Sequence, residues 1–421
     1  MKTKITIITM VALFMVAAPL LAVSAYDPDS NVVYAQVAEP FVGTSVRAMG
    51  MGGAGLGVKG YHDSFLINPA NLTKSGFKFT FPSVTVTAYS PKAILESGAI
   101  EDFEEGTDDS MISGAQKFLA TIKKGYGDVL TTDVSTTLTI GSFGLSLQAQ
   151  ERLMSYKTGA DMMSTNLIAQ VTTAATAGLG FRIGIVPEKI SIDLGLTAQA
   201  VYKAYYEAQS ASSITDMMAE DDPDIEGTFI GSTPLIAGYA LPISAGINVN
   251  FPAGLTLSVA AKNFNGNYKM TTYQSINDWS VEVLGNEIGE DTSTDSEFTS
   301  EEFEIVSDWR LDAGLTWVPD IGSLVRPVLA VDVVDITSMG GLQGDDLKRA
   351  FFEQTRLGAS VRLLSILDVR GGISQGYKSI GAGLDLLIFH IDAAYSIQEY
   401  GASIGDKPID ALSLRFSLLS R

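Results

Sequence analysis

Cysteine is absent from the 421 residues, and histidine occurs only twice. Without cysteine there is no disulfide scaffold, no thiolate zinc site and no cysteine nucleophile. Charge is sparse as well: Asp, Glu, Lys and Arg make up 18% of the chain, below the roughly 25% of ordinary soluble proteins. What charge there is leans to acid, 48 Asp and Glu against 28 Lys and Arg for a net charge of −20. That removes the basic footprint nucleic-acid binding needs. After residue 25 no stretch reaches the ~20 consecutive apolar residues of a transmembrane helix. The apolar fraction of 46% is too high for a disordered chain. Forty-one glycines beside 14 prolines imply tight turns and closely packed strands rather than a low-complexity linker.

The one long apolar run opens the chain. Lys2 and Lys4 precede a weakly polar to apolar stretch over 5–22, and Val23-Ser24-Ala25 puts small residues where a signal peptidase reads. Residues 1–25 are expected to be a cleaved signal peptide, with Tyr26 starting the mature chain and a retained anchor as the alternative. An exported protein without a spanning helix is either soluble or a barrel.

Alternation with period two dominates from Phe77 onward. In 389–397, Phe389, Ile391, Ala393, Tyr395 and Ile397 fall on one face, with His390, Asp392, Ala394 and Ser396 on the other. The same pattern recurs at 192–202, 255–262, 310–317 and 356–363. Such strands build either a sandwich with the greasy faces inward or a membrane barrel with them outward. Connection lengths separate the two. Strands are expected near 77–90, 131–140, 144–156, 170–184, 190–206, 236–250, 254–267, 309–319, 326–335, 355–364, 367–375, 379–387, 389–398 and 410–418. Short links, such as Gly141-Ser142-Phe143 and Phe251-Pro252-Ala253, alternate with long ones at 91–130, 157–169, 207–235, 268–308 and 336–354. Tight turns at one end and extended loops at the other mark an outer-membrane barrel. The fold expected is therefore all-β: a transmembrane antiparallel β-barrel of about 14 strands over 77–421.

More than half of the acidic residues lie in three runs, 96–109, 207–226 and 278–308, none of which contains Lys or Arg. They read as a solvated outer face, with divalent-cation binding as the alternative; no twelve-residue calcium-loop spacing is present. No metal or cofactor is expected. Met111, Ile112, Ala115, Phe118, Leu119 and Ile122 recur at helical spacing and predict a short amphipathic helix in the first long loop.

The most distinctive text is Arg47-Ala48-Met49-Gly50-Met51-Gly52-Gly53-Ala54-Gly55, followed by Asn68-Pro69-Ala70-Asn71-Leu72. Gly50, Gly52 and Gly55 satisfy a G-x-G-x-x-G spacing. A dinucleotide site also requires a βαβ unit, which an exported all-β chain does not offer, and no Gly-Lys-Ser/Thr follows for a phosphate loop. A glycine-rich stretch that packs closely against other backbones suits a plug inside a barrel.

These two motifs resemble the N-terminal hatch of the FadL-type outer-membrane proteins, including the spirochaete FadL-like, PorV-like and TraF-like branches. Arg356-Leu357-Gly358-Ala359-Ser360, Val369 to Tyr377 and Ile380 to Leu384 resemble the family's closing strands. The resemblance covers both ends of the chain, and the acidic middle shows no matching motif. It implies a fourteen-stranded barrel with a hatch over 26–76 carrying Gly50, Gly52, Gly53, Asn68, Pro69 and Ala70. It further implies outer-membrane uptake of hydrophobic molecules, typically long-chain fatty acids, captured among outer loops and released past the hatch. The partners implied are that ligand, outer-membrane lipid and the barrel assembly machinery during biogenesis, with no nucleic acid.

Face assignment makes Arg310, Arg356, Arg362 and Arg370 lumen residues that would receive a ligand carboxylate or pair with Asp312, Asp368, Asp385 and Asp392 to fill the interior. Loop positions for hydrophobic capture are Phe118, Leu119, Phe229, Ile230, Phe298 and Phe303. Two rival classes stand beside transport. A PorV-like or TraF-like barrel would dock secretion or envelope machinery and move no substrate. An enzyme is not expected, because neither His62 nor His390 sits in an evident Ser/His/Asp setting, and no catalytic residue is nominated.

Overall fold

The computed structural model describes residues 38–418 except 188, 207–208, 211–233, 289–297, 323, 387 and 402. The signal-peptide segment and the capture positions Phe229 and Ile230 lie outside the described residues.

The alternating segments form one closed antiparallel barrel, 14 strands among the described residues. In chain order they are β1 (Lys78–Tyr89), β2 (Gly125–Ile140), β3 (Phe143–Lys157), β4 (Thr165–Val186) and β5 (Ile190–Tyr206). Next come β6 (Leu235–Ala240 continuing as Ile243–Asn250), β7 (Leu255–Phe264 continuing as Tyr268–Tyr273) and β8 (Glu302–Ile305 continuing as Arg310–Trp317). The last six are β9 (Val325–Val333), β10 (Thr355–Leu363), β11 (Leu367–Ser374), β12 (Tyr377–Leu386), β13 (Phe389–Glu399) and β14 (Pro408–Leu418). Closure is made by β1, which pairs β2 on one side and β14 on the other, from Ser83 opposite Ser417 to Tyr89 opposite Ala411. Among the described residues no sheet edge is left unpaired, as a bilayer demands.

Burial shows which face is which. On β3 to β5 the greasy residues point outward: Leu147 is 59% exposed, Leu179 61% and Leu196 55%. Their polar neighbours Ser146, Thr176 and Thr197 are buried inside. This reverses a soluble sandwich and gives an apolar band for lipid. Short turns after β2, β4, β6, β10 and β12 lie at one end, the periplasmic end in outer-membrane barrels, and the long connections at the other, the outer end.

Four strands run further outward than alternation predicts. β2 begins at Gly125 and β4 at Thr165, while β7 resumes at Tyr268 and β8 starts at Glu302, inside what reads as loop. The cause in β7 is a bulge: Asn263 and Asn265 adopt left-handed backbone, with φ 64° and 58°. Asn265-Gly266-Asn267 therefore kinks the strand where its composition suggests a turn. The Asn263 amide bridges to β8 by donating to the Ser307 carbonyl (3.0 Å) and hydroxyl (2.9 Å).

Helices occur in the N-terminal segment and in the long connections. α1 (Val46–Gly50) and α2 (Ser64–Ile67) belong to the N-terminal segment, and α3 (Pro91–Ser97), α4 (Ala99–Glu105) and α5 (Asp108–Thr121) form the first long connection. α5 is the helix predicted from its 3–4 spacing, started by a capping box between Thr107 and Ser110. It packs on its own barrel: Leu119 lies with Val129, Leu153 and Leu167 against the wall. α6 (Ile276–Leu284) lies on the outer wall too, with Trp279 against Tyr202, Tyr206 and Tyr273. α7 (Gly344–Gln354) closes the connection from β9 to β10.

Candidate functional site

The N-terminal segment, residues 38–76, runs through the lumen and is held by inward-facing polar residues from around the barrel. Its central anchor is an amide cluster. Asn68, fully buried, caps the 3-10 turn Pro69–Leu72 by accepting from Ala70 N (3.0 Å) and donates to Asn248 Oδ1 of β6 (2.9 Å). Asn248 in turn donates to Asn71 Oδ1 (2.9 Å) and accepts from Ser258 of β7 (2.7 Å). Asn68-Pro69 is thus an ordinary Asx-Pro cap whose asparagine also pins the segment to the wall.

The glycine-rich stretch is read by β9, three strands further round the wall. Asp332 of β9 accepts from Gly55 N (2.6 Å) and Leu56 N (2.9 Å), satisfying buried amides that water cannot reach. Close approach is met by glycine on both partners. A Cβ on Gly372 of β11 would fall 2.2 Å from the Met51 carbonyl carbon, and one on Gly195 of β5 would fall 2.1 Å from that of Pro69. Gly52 takes φ +67° against Ile373, a backbone few other residues adopt.

Charges complete the attachment. Lys59 pairs with Asp193, which also holds Arg182 of β4 (2.6 Å). Asp63 accepts from Ser45 (2.7 Å) and faces Arg415 of β14 (3.4 Å). Burial opposes Asp63 ionisation, but His62, Arg415, Ser45 and Arg47 outweigh it and lower the carboxyl to about 2. His62 is held down to about 4 by burial and then by Arg415. Tyr61 donates to Asp368 (3.1 Å) while its ring lies 3.8 Å under the Arg47 guanidinium.

Of the four arginines nominated from face assignment, Arg370 is buried, with Asp392 at 2.6 Å and Asp368 at 3.2 Å. Asp392 simultaneously receives Arg415 (2.5 Å) and His390 Nε2 (2.7 Å). Arg362 pairs with Asp385, which also meets His390 Nδ1. These residues form a lattice across β10 to β14, the charge-paired filling that the sequence left as an alternative. Arg356 faces the lumen beside Gly53 but its guanidinium turns to the Glu353 and Thr355 carbonyls, the latter at 3.2 Å. Arg310 is exposed and stands opposite Lys262 of β7.

The capture positions are not brought together. Leu119 is fully buried against the wall and Phe118 packs beside it, so both hold α5 in place. Phe298 is exposed. Phe303 faces inward and joins a cluster that sequence reasoning missed: Tyr205, Ile236, Tyr268, Met270 and Ile305 make an apolar patch on the outer half of the lumen wall. Phe41 and Ala38 of the N-terminal segment cover it. The signal was available in Tyr268-Lys269-Met270, whose alternation is hidden by the preceding Asn-Gly-Asn. Asn71, Asn248, Asp332 and Arg415 were missed for a different reason, since each acts only through a partner far along the chain.

Cavities inside the barrel carry polar and charged groups beside apolar ones. An apolar depression of about 790 Å³ lies instead on the outer wall, where Ala175, Ala177, Ala198 and Ala200 stand between Leu145, Leu147 and Ile243.

No protein-family model matches the chain, and no curated protein matches it either. Solved structures of similar shape include a Pseudomonas aeruginosa FadL homologue, 12% identical, covering 89% of this chain and 98% of that one with a TM-score of 0.43. The Ralstonia pickettii toluene transporter TbuX is 11% identical over 90% and 98% with a TM-score of 0.46. The P. putida toluene transporter TodX is 10% identical over 90% and 97% with a TM-score of 0.42.

Proposed function

We propose that this barrel takes up small hydrophobic molecules across an outer membrane, with residues 38–76 acting as the hatch. The observation that carries the reading is the apolar patch of Tyr205, Ile236, Tyr268, Met270 and Ile305 at the outer end of a polar lumen, against which Phe41 and Ala38 of the N-terminal segment pack. A patch of that kind repays exposure by binding an apolar ligand, and the residues covering it belong to a segment held mostly by hydrogen bonds and ion pairs. Shifting 38–41 would open the patch while the amide anchor at Asn68 keeps the remainder seated. Long-chain fatty acids are the ligands that the sequence resemblance implies.

A second reading, a barrel adaptor that docks envelope machinery and moves no substrate, is favoured by the lattice around Asp392. Such cross-linking of the wall suits a rigid platform. The test is uptake of labelled oleate, with labelled toluene as a smaller apolar probe, by a bacterium lacking its own transporter. Uptake above the empty vector, reduced at least several-fold by Phe41→Asp and by Asn68→Ala, is the expected result. A surface-exposed, heat-modifiable barrel that moves neither probe would sink transport and leave the adaptor.

A further inference from the structure

Three cavities follow one another through the lumen beside the N-terminal segment, the outermost mainly polar and the other two of mixed lining. The outermost, about 230 Å³, is bounded by Glu39, Asp128, Gln150, Arg152, Gln170 and Lys203. The middle one, about 370 Å³, is bounded among others by Ser83, Thr85, Asp133, Thr137 and Gln148. The innermost, about 320 Å³, lies at the periplasmic turn Ser365-Ile366 beside Lys78, Arg362 and Asp385. Neighbours share walls: Thr44, Tyr89 and Gln398 line both the first and the second, and His62 and Arg415 line both the second and the third.

Their walls are built for a ligand that both gives and takes hydrogen bonds. Gln170 is 97% buried, donates its amide to Thr172 (3.3 Å) and leaves its Oε1 without a partner. Thr137 Oγ1, also buried, and Gln148 Oε1 are likewise unpartnered on the middle cavity. Buried polar atoms in this state are rare in native interiors and call for a hydrogen-bonding occupant. Charges of both signs alternate along the route, Glu39 and Asp128 with Arg152 and Lys203, then Asp133 and Asp63 with Arg415. A field of mixed sign neither concentrates nor rejects one kind of ion, whereas hydroxyl groups find acceptors and donors throughout.

We propose that these cavities form a polar passage past the N-terminal segment that admits small uncharged hydroxylated solutes of monosaccharide size, with an outer neck at Thr44 and Gln398 and an inner one at His62 and Arg415. This is separate from the apolar patch, and it stands or falls independently of hydrophobic uptake. The outermost cavity, at about 230 Å³ the smallest of the three, sets the solute limit.

The test is swelling of proteoliposomes carrying the full barrel in isotonic L-arabinose, with stachyose as a solute too large to enter. Wild type should swell at least fivefold faster in arabinose than protein-free vesicles and no faster in stachyose. Thr44→Trp should cut the arabinose rate severalfold and Gln398→Ala should raise it, both variants first shown to migrate as folded barrels in unheated gels. No arabinose swelling by wild type overturns the passage. So does swelling unchanged in both variants, which would place the leak elsewhere, or equal entry of stachyose.

Discussion

At the scale of single residues, the interior is organised by a few polar groups that each satisfy several others. Asn248 holds Asn68, Asn71 and Ser258 at once, and Asp392 holds Arg370, Arg415 and His390. Such multiply engaged groups are costly to leave unpaired. The pair His62 and Asp63 makes the seating of the segment sensitive to acid. His62 has a folded value near 4 against 6.5 when free, so the unfolded chain binds the extra proton first. Its contribution is complete above about pH 6.5 and is lost as pH falls from there through 4. Asp63, lowered to about 2 from 3.8, contributes above about 3.8 and loses that as pH falls through 2. Both act in the same direction. A spin label on Thr44→Cys, the chain having no other cysteine, should therefore gain mobility on acidification in two stages. His62→Gln should abolish the stage between pH 6.5 and 4 and shrink the lower one, because His62 is the foremost charge lowering Asp63; an unaltered profile would show that His62 does not govern the seating. Neither residue's role was visible in the sequence, where a lone histidine beside an aspartate carries no pattern, and its partner Arg415 lies on the final strand.

At the scale of elements, the strands were legible because alternation is a local property. Turn chemistry was legible for the same reason, and it misled once: Asn265-Gly266 bulges β7 instead of ending it, because the neighbouring β6 and β8 continue and supply hydrogen-bond partners on both sides. α5 was legible as a helix from its apolar spacing, but its seat against Val129, Leu153 and Leu167 was not. The glycines of the wall read in sequence only as weak points in strands. In the fold Gly372 and Gly195 are contact surfaces for the N-terminal segment. Gly372→Ala should therefore act on the segment more than on the strand. The expected result is faster protease cleavage within 42–76, by about tenfold, with an unchanged barrel mobility in unheated gels. Loss of the folded barrel itself would mean that the glycine serves β11 and not the contact.

At the scale of the whole molecule, the barrel inverts the usual arrangement, apolar outside and polar within, and substitutions should divide accordingly. Leu196→Arg places a cation on the lipid face of β5 and should cost about 2–4 kcal/mol near the bilayer midplane, read as a lowered urea midpoint for refolding into vesicles. Gln199→Arg, on the lumen face of the same strand, should cost well under that. Equal losses would contradict the face assignment. The sequence by itself determined the number of strands, the direction of their greasy faces, the end bearing the long acidic loops and the presence of a glycine-rich segment. Each depends on spacing between near neighbours or on composition, which the chain carries in its order. Only the tertiary structure decided which polar groups meet in the lumen. Gly55 and Asp332 are 277 residues apart, and the apolar patch draws on β5, β6, β7 and β8 together with Phe41. Those encounters follow from barrel closure and register, which bring distant residues to one level without leaving any trace in the text around them.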